Sequence, residues 1–345
     1  MKFSLFAHME RLTPHQSHAE LYDEFIALAE IADHGGMHAL WTGEHHGMDF
    51  TIAPNPFISL ADLARRTSNL RLGTGTVVAP FWHPIKLAGE AAMCDIITGG
   101  RLDIGIARGA YSYEYQRIGG GVEAWEAGQR LRAMIPAIKG LWEGDHAVEN
   151  EFWSFPATTS APKPLQQPHP PIWVAARDPS SHDFAVANGC NVQVTPLSMA
   201  DAEVESLMER FDTACAAHPE VPRPKIMLLR HTFVGAGEAE VVQGAEDISR
   251  FYCHFGAWFK NERPVSQGLI EPLSDAEMAA MEMFSPAKMR ANNVIGTPRE
   301  VVARLKHYQA LGYDEYSFWI DTGMAFERKK RSLELFIDRV MPEFG

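Results

Sequence analysis

The sequence predicts a single-domain α/β fold, a (β/α)8 TIM barrel with insertion loops that takes in residues 1–345. Short apolar runs alternate with longer amphipathic stretches along the chain, the pattern of repeated βα units around a parallel sheet. Eight such runs can be placed, enough to close a barrel. A length of 345 residues also suits one barrel with insertions, since barrels of roughly 200 to 400 residues occur as single units.

The expected strands are, in order, Lys2–Ala7, Ala39–Thr42, Leu70–Val78, Leu102–Ala107, Ile172–Ala176, Asn191–Val194, Ile226–Val234 and Glu315–Ile320. Helical stretches fall between most of them. Leu21–His34 is periodic and stops at Gly35-Gly36, Ala88–Ile97 stops before Gly99-Gly100, and Ala200–Ala217 stops before a Pro-rich turn. Two segments break the rhythm. Gly144–Pro171, rich in Pro and aromatics, is expected to be an ordered loop before the fifth strand. Gly256–Asn293 shows no clear period and is expected to be an insertion between strands seven and eight that acts as an active-site lid.

Composition narrows the function. A net charge of −13 without a sizeable basic patch repels phosphate backbones and anionic membranes, so neither nucleic acid nor a membrane surface is an expected partner. No apolar run approaches the ~18 residues that a spanning helix needs. The N-terminal MKFSLFAHMERLTPH has no apolar signal core, and the expected location is cytoplasmic. Cys94, Cys190, Cys215 and Cys253 lie far apart with no C-x-x-C, as suits reduced, buried thiols.

Several segments carry chemistry-bearing residues. In GRLDIGIARG a strand runs into a turn, and in a barrel the loop after a strand lies on the catalytic face. Arg108 would present a planar cation there, although a rim arginine paired with a carboxylate would read the same way. In R-D-P-S-S-H-D-F at Arg177–Phe184, Ser180 and Ser181 sit where a helix would begin, with N–H groups and a positive dipole end suited to an anion. Ordinary N-capping uses the same residue type. In E-H-H, neighbours on an extended strand point to opposite faces, so His45 and His46 cannot aim at one point without a turn. That counts against a metal-dependent hydrolase, and no metal is expected. The glycines inside LGTGTVVAP are unfavourable in a strand unless something approaches the backbone closely. His8, Trp41, Phe81, Tyr111 and Trp258 could line an apolar pocket, as could Trp82 and Trp173, although most aromatics are core residues.

Taken in order, the landmarks are MKFSLF, W-T-G-E-H-H at Trp41–His46, N-P at Asn55-Pro56, R-L-G-T-G-T-V-V-A-P at Arg71–Pro80, H-P at His83-Pro84, G-G-R-L-D-I-G-I-A-R-G-A-Y at Gly99–Tyr111, Q-Q-P-H-P-P-I-W-V-A-A at Gln166–Ala176, I-G-T-P-R-E-V-V at Ile295–Val302 and a terminal V-M-P-E-F. Together they resemble the luciferase-like flavin-dependent monooxygenases across essentially the whole chain. The resemblance implies FMN, used as FMNH2 supplied by a separate flavin reductase, with O2 as co-substrate. A C4a-peroxyflavin would then oxygenate a small apolar aldehyde, ketone or similar molecule. By the same resemblance His45 is the catalytic histidine, with Glu44 orienting it or closing a salt bridge. FMN would be held by Thr74, Gly75, Ala107, Arg108, Arg130, Ala175, Ala176, Arg177, Ser180 and Ser181, with Arg132 an alternative to Arg130. A non-proline cis peptide is expected between Thr74 and Gly75, and the family's habit suggests a homodimer. Two departures stand out. Ala107 replaces a cysteine common in the light-emitting branch, and Arg177-Asp178 replaces a Glu-Ser pair, which sets a carboxylate beside the expected phosphate. Two alternatives remain: a deazaflavin-dependent oxidoreductase of the same superfamily, and a flavin-binding relative without turnover.

Overall fold

The computed structural model describes residues 1–260 and 262–345. Eight parallel strands close a barrel: β1 (Lys2–Phe6), β2 (Ala39–Thr42), β3 (Arg71–Val78), β4 (Leu102–Ala107), β5 (Ile172–Ala175), β6 (Asn191–Val194), β7 (Ile226–Val234) and β8 (Glu315–Trp319). Each pairs with its neighbours in sequence, and β8 returns to β1 with Lys2 opposite Glu315 and Phe6 opposite Trp319. The short strand Val294–Gly296 pairs with the far end of β7 and stands outside the ring. The fold is therefore the (β/α)8 barrel that the alternation of runs predicts.

The helices form where apolar spacing and capping agree. His18–His34 starts one turn before its clear periodicity because Ser17 and Glu20 make a capping box. Near the other end of that helix, Asp33 accepts the backbone N–H groups of Ser68, Asn69 and Leu70 at 2.8–2.9 Å. This pins the loop that launches β3. The buried faces of the helices pack on the outside of the strands in one large cluster that includes Leu21, Phe25, Leu60, Leu87 and Ile138.

Two expectations need correction. Gly144–Pro171 is not only loop, since His146–Glu149 and Ser154–Thr158 form an antiparallel hairpin. The excursion before β8 begins later than Gly256, because a helix runs unbroken over Glu238–Lys260. Its apolar face continues past the glycine that sequence reading took as a break. The rest of the excursion holds a small hairpin, Val265–Ser266 with Leu269–Ile270, and the short helices Asp275–Ala280 and Pro286–Asn292. Asn261, within the expected lid, lies outside the described residues.

Aromatic side chains fill the barrel interior, and the glycines of β3 make room for them. A Cβ on Gly73 would lie 2.1 Å from the Trp41 ring, and one on Gly75 2.7 Å from the Phe6 ring. Trp41 is almost wholly buried and donates from Nε1 to Glu315 at 3.0 Å. It therefore belongs to the barrel core and is not part of a substrate pocket. Burial raises the Glu315 carboxyl to about 7. An acid whose pKa is higher folded than unfolded stabilises the fold while protonated, and that contribution fades as pH rises through its folded pKa. Wild-type melting temperature should therefore lose a component between about pH 4.5 and 7 that Glu315→Gln does not lose. Parallel pH–melting curves for the two proteins would refute this.

Candidate active site

The C-terminal ends of the strands surround a cavity of about 560 Å3, within the ~300–1,000 Å3 usual for ligand and cofactor sites. Its inner end is aromatic and apolar, built from Phe6, Phe50, Tyr111, Phe255 and Trp319 with Met227 and Leu229 of β7. Its outer end is polar, with Arg108, Arg132, Arg177, Ser180 and Ser181.

The loop after β2 sets the geometry. Glu44 is buried, and one carboxylate oxygen accepts Val78 N–H and Trp82 Nε1–H, both at 2.8 Å. The other meets His46 Nε2 at 2.6 Å. Of the two expected roles Glu44 takes the second, closing a salt bridge with His46, and it does not orient His45: two residues apart on an extended chain, Glu44 and His46 share a face and His45 takes the opposite one. The carboxylate that reaches His45 is Glu114, whose Oε2 lies 2.9 Å from Nδ1 while its Oε1 accepts the His46 backbone N–H at 2.7 Å. Glu114 sits in the short helix Ser112–Arg117, 69 residues along the chain, and no local motif announces it. With Nδ1 engaged, His45 keeps Nε2 for the cavity, which it lines beside Tyr111 and Phe50.

At the outer end Arg132, not Arg130, lines the cavity. Arg132 lies over the Phe184 ring and reaches the carbonyl and hydroxyl oxygens of Ser180 at 3.1 Å. Arg130 turns away to Glu126. On the helix Ala124–Glu143, two residues are about 200° apart, so only one of the pair can face inward. Arg108 donates to the Ala124 carbonyl at 3.2 Å, and Arg177 is exposed at the rim. The helix Pro179–Ala187 does begin at the cavity, but Asp178 caps it, accepting Ser181 N–H at 3.0 Å and the Ser180 hydroxyl at 2.7 Å. Burial alone would raise its pKa, yet these hydrogen bonds outweigh burial and lower it.

Of the other expected site residues, His8, Gly75, Ala107, Tyr111 and Ala175 line the cavity. Thr74 does not, because its hydroxyl is buried against Gly105, donating to its carbonyl and accepting its N–H at 2.8 Å. Ala176 is buried behind β5. Phe81 packs outside on His46 and Tyr115. Trp258 packs on Tyr111 and Tyr113 and borders a smaller neighbouring cavity. Within the expected lid segment, Phe259 is the one described residue that lines the main cavity. The cis peptide is at Gly75–Thr76, one bond beyond the expected Thr74–Gly75, where β3 slips register against β4.

Sequence reading missed Phe50, Gln193, Phe255 and Trp319. Trp319 could have been found, since Glu315, Ser317 and Trp319 alternate along β8 and one end is aromatic. Gln193 lines the cavity with a buried Nε2 that has no hydrogen-bond partner. Both ring nitrogens of His8 are likewise without partners, and burial, followed by the charge of His45, holds its pKa well below the usual range. Orphan donors facing an apolar-walled slot, with three arginines at its mouth, fit a flat polar-edged ring that bears an anionic tail. The fit to a flavin mononucleotide is therefore good on chemistry alone. Among the described residues there is no cluster of three potential metal ligands. Among the described residues no helix is long and apolar enough to cross a membrane.

The profile of the luciferase-like monooxygenase family matches residues 1–315. Over all 345 residues the chain is 67% identical to the oxygenase component of a flavin-dependent trigonelline monooxygenase from Acinetobacter baylyi, covering 96% of that protein. It is 27% identical over 190 residues to the alkanal monooxygenase alpha chain of the Kryptophanaron alfredi symbiont, covering 55% of this chain and 52% of that one. The crystal structure of monooxygenase RslO1 from Streptomyces bottropensis superposes along the full length of both chains with a TM-score of 0.85 at 27% identity.

If Glu44 is an anchor, its loss should register in folding first. Removing one partner from a buried, hydrogen-bonded charge costs roughly 3–5 kcal/mol. Glu44→Ala should therefore lower the melting temperature by several degrees. An unchanged melting curve with abolished turnover would instead return Glu44 to a direct chemical role.

Proposed function

The chain belongs to the luciferase-like monooxygenase family and is a flavin-dependent monooxygenase, and from that premise we propose that it is the FMNH2-using oxygenase of a two-component system. Reduced flavin comes from a separate reductase, and the cavity accepts it together with a small aromatic substrate. The observation that carries this reading is the division of one cavity into a cationic mouth and a dry aromatic inner end.

Each part of the chain has a task in this arrangement. Arg108, Arg132 and Arg177 with the Ser180 hydroxyl hold the flavin phosphate, since planar guanidinium groups match phosphate oxygens. Gly75, Ala107 and Ala175 present small surfaces along the ring, and Gln193 Nε2–H is available to its polar edge. Bound reduced flavin supplies the chemistry, activating dioxygen so that one oxygen passes to the substrate. His45, held by Glu114, moves a proton at its Nε2, and the surrounding rings keep water out.

The full-length likeness to a trigonelline monooxygenase supports a small N-methylpyridinium carboxylate of that kind as the substrate. Phe6, Phe50, Tyr111, Phe255 and Trp319 suit it, because aromatic faces attract a quaternary ring cation. An uncharged aldehyde or ketone is the second reading, favoured by the same apolar walls and by the likeness to an alkanal monooxygenase over half the chain.

Two measurements test the proposal. FMN should bind at least about tenfold more tightly than riboflavin, about 1.4 kcal/mol, and Arg132→Ala should erase most of the difference. Equal affinities in the wild type would remove the phosphate site. His45→Ala should retain FMN affinity and oxygen consumption with FMNH2 yet lower product formed per FMNH2 oxidised. Unchanged coupling would take His45 out of the reaction. Failure of reduced FMN to drive oxygen uptake at all would favour a deazaflavin enzyme or an inert flavin binder.

A further inference from the structure

A second imidazole–carboxyl pair lies beside His45, with His8 on the cavity wall and Glu10 outside the cavity lining. His8 and Glu10 follow β1, and both are at least nine-tenths buried. His8 Nδ1 lies 3.9 Å from Glu10 Oε1, and neither ring nitrogen nor either carboxyl oxygen has a hydrogen-bond partner. The other nitrogen, Nε2, is turned toward the cavity wall, where a Cβ added to Gly43 would sit 2.8 Å from it. Gly43, Gly75 and His8 all line the cavity. The rings of His8 and His45 are 5.7 Å apart, so two proton-carrying devices flank one volume.

The charges around Glu10 decide which form it takes. Asp321, just past β8, accepts the His8 backbone N–H at 2.6 Å and so has a donor to support a negative charge. Glu10 has none. Lys329, on the helix Phe326–Arg339, is the cation acting on both carboxyls. His231 on β7 is buried and held to about 3, so it adds no compensating charge. Tyr111 and Tyr252, which also feel Glu10, are pushed above the usual phenol range by burial first. Two neighbouring buried carboxyls with one cation retain one proton between them, and it belongs on the group without donors. Glu10 is raised well above the usual carboxylate range by burial and then by Asp321.

We propose that Glu10 and His8 form a dry proton relay that protonates an anionic oxygen at the inner end of the cavity. This rests on the monooxygenase reading above and adds a proton donor to it. In the resting pair Glu10 is a neutral acid and His8 a neutral imidazole bearing its hydrogen on Nε2. The N–H bond at Nε2 breaks as an O–H bond forms on the anionic oxygen of the bound ligand. The Glu10 proton then passes to Nδ1. The products are a protonated ligand oxygen, a His8 imidazole protonated on Nδ1, and a Glu10 carboxylate. When the cavity opens, a proton from solvent adds to Nε2 as the Nδ1 proton returns to Glu10, which restores the resting pair. His8 is the group that touches the ligand, while Glu10 acts through it.

The relay is tested first without turnover. Infrared spectra of the flavin-free Glu315→Gln protein, which removes the other carboxyl protonated near neutrality, should contain the carbonyl stretch of a protonated carboxyl at neutral pH, and adding Glu10→Gln should abolish it. In single turnovers with FMNH2, O2 and trigonelline, product formation should slow roughly a hundredfold in His8→Gln and about tenfold in Glu10→Gln, with a larger solvent deuterium effect in the latter. Glu10→Gln should bind FMN and consume oxygen like the wild type, which separates failure of the relay from failure of the flavin reading. Glu10→Asp should recover part of the rate. If Glu10→Gln does not fold, the infrared band of the Glu315→Gln protein must persist when His8→Gln is added, together with slowed product formation. An ionised Glu10 in the wild type, or wild-type product rates in a folded Glu10→Gln or His8→Gln, would overturn the proposal.

Discussion

The Glu44 carboxylate is the fixed point of the site. It joins the end of β2 to the end of β3 through Val78 and to the turn beyond through Trp82, and it holds His46. Three partners around one buried anion leave the loop after β2 a single conformation. That conformation forces His45 to the other side of the chain, toward the cavity. A buried anion is costly without such partners, and here the partners belong to three different stretches of sequence. The same group that satisfies a local electrostatic demand thus fixes the side chain proposed to move a proton.

From that point the cavity divides by dielectric. At the mouth, charge is abundant and water has access, so Arg108, Arg132 and Arg177 can attract an anion without much desolvation cost. At the inner end the walls are aromatic, and titratable groups hold proton states unlike those in water: His8 and His231 are depressed, while Glu10, Asp321 and Tyr111 are raised. Burial is the largest cause in each case. The His45–Glu114 pair is closely hydrogen-bonded at 2.9 Å, whereas in His8–Glu10 the nitrogen and oxygen stand 3.9 Å apart at similar burial. The separation within each pair therefore distinguishes one held in a single geometry from one proposed to keep its proton in reserve.

The barrel was legible because its signal is spread over the whole chain. All eight strands lie within a residue or so of the apolar runs, since Gly, Pro and polar residues bound each run and parallel strands are buried on both faces. Burial on both faces is also why the site was less legible. An apolar residue on such a strand carries no mark of whether it points into the barrel or out to the helices. Trp41 was accordingly placed in a pocket although it fills the interior above Glu315. Periodicity settles that question only on a longer element, as with Arg132 against Arg130 on the helix Ala124–Glu143. Pairings across the chain, such as Glu114 with His45, leave no local trace at all. The glycines of β3 were rightly singled out as places of close approach, but part of what approaches them is the Trp41 and Phe6 rings of the barrel itself.

Asp178 gives the outer site a character of its own. A helix start with two serines is suited to an anion, yet in this chain the anion is already supplied from within, since the Asp178 carboxylate occupies Ser181 N–H and the Ser180 hydroxyl. An arriving phosphate must then either displace that carboxylate or be held mainly by guanidinium groups. The second course is open, because Arg132 already lies against Ser180 and Arg177 follows directly on β5's end. Guanidinium contacts at an exposed rim are screened by salt in a way that buried backbone amides are not. A cofactor held in that manner is gripped by charge at its tail and by shape at its ring, and it can leave from the tail end first. Such release suits the proposed two-component oxygenase, in which reduced flavin arrives from another protein and returns to it oxidised on every turnover.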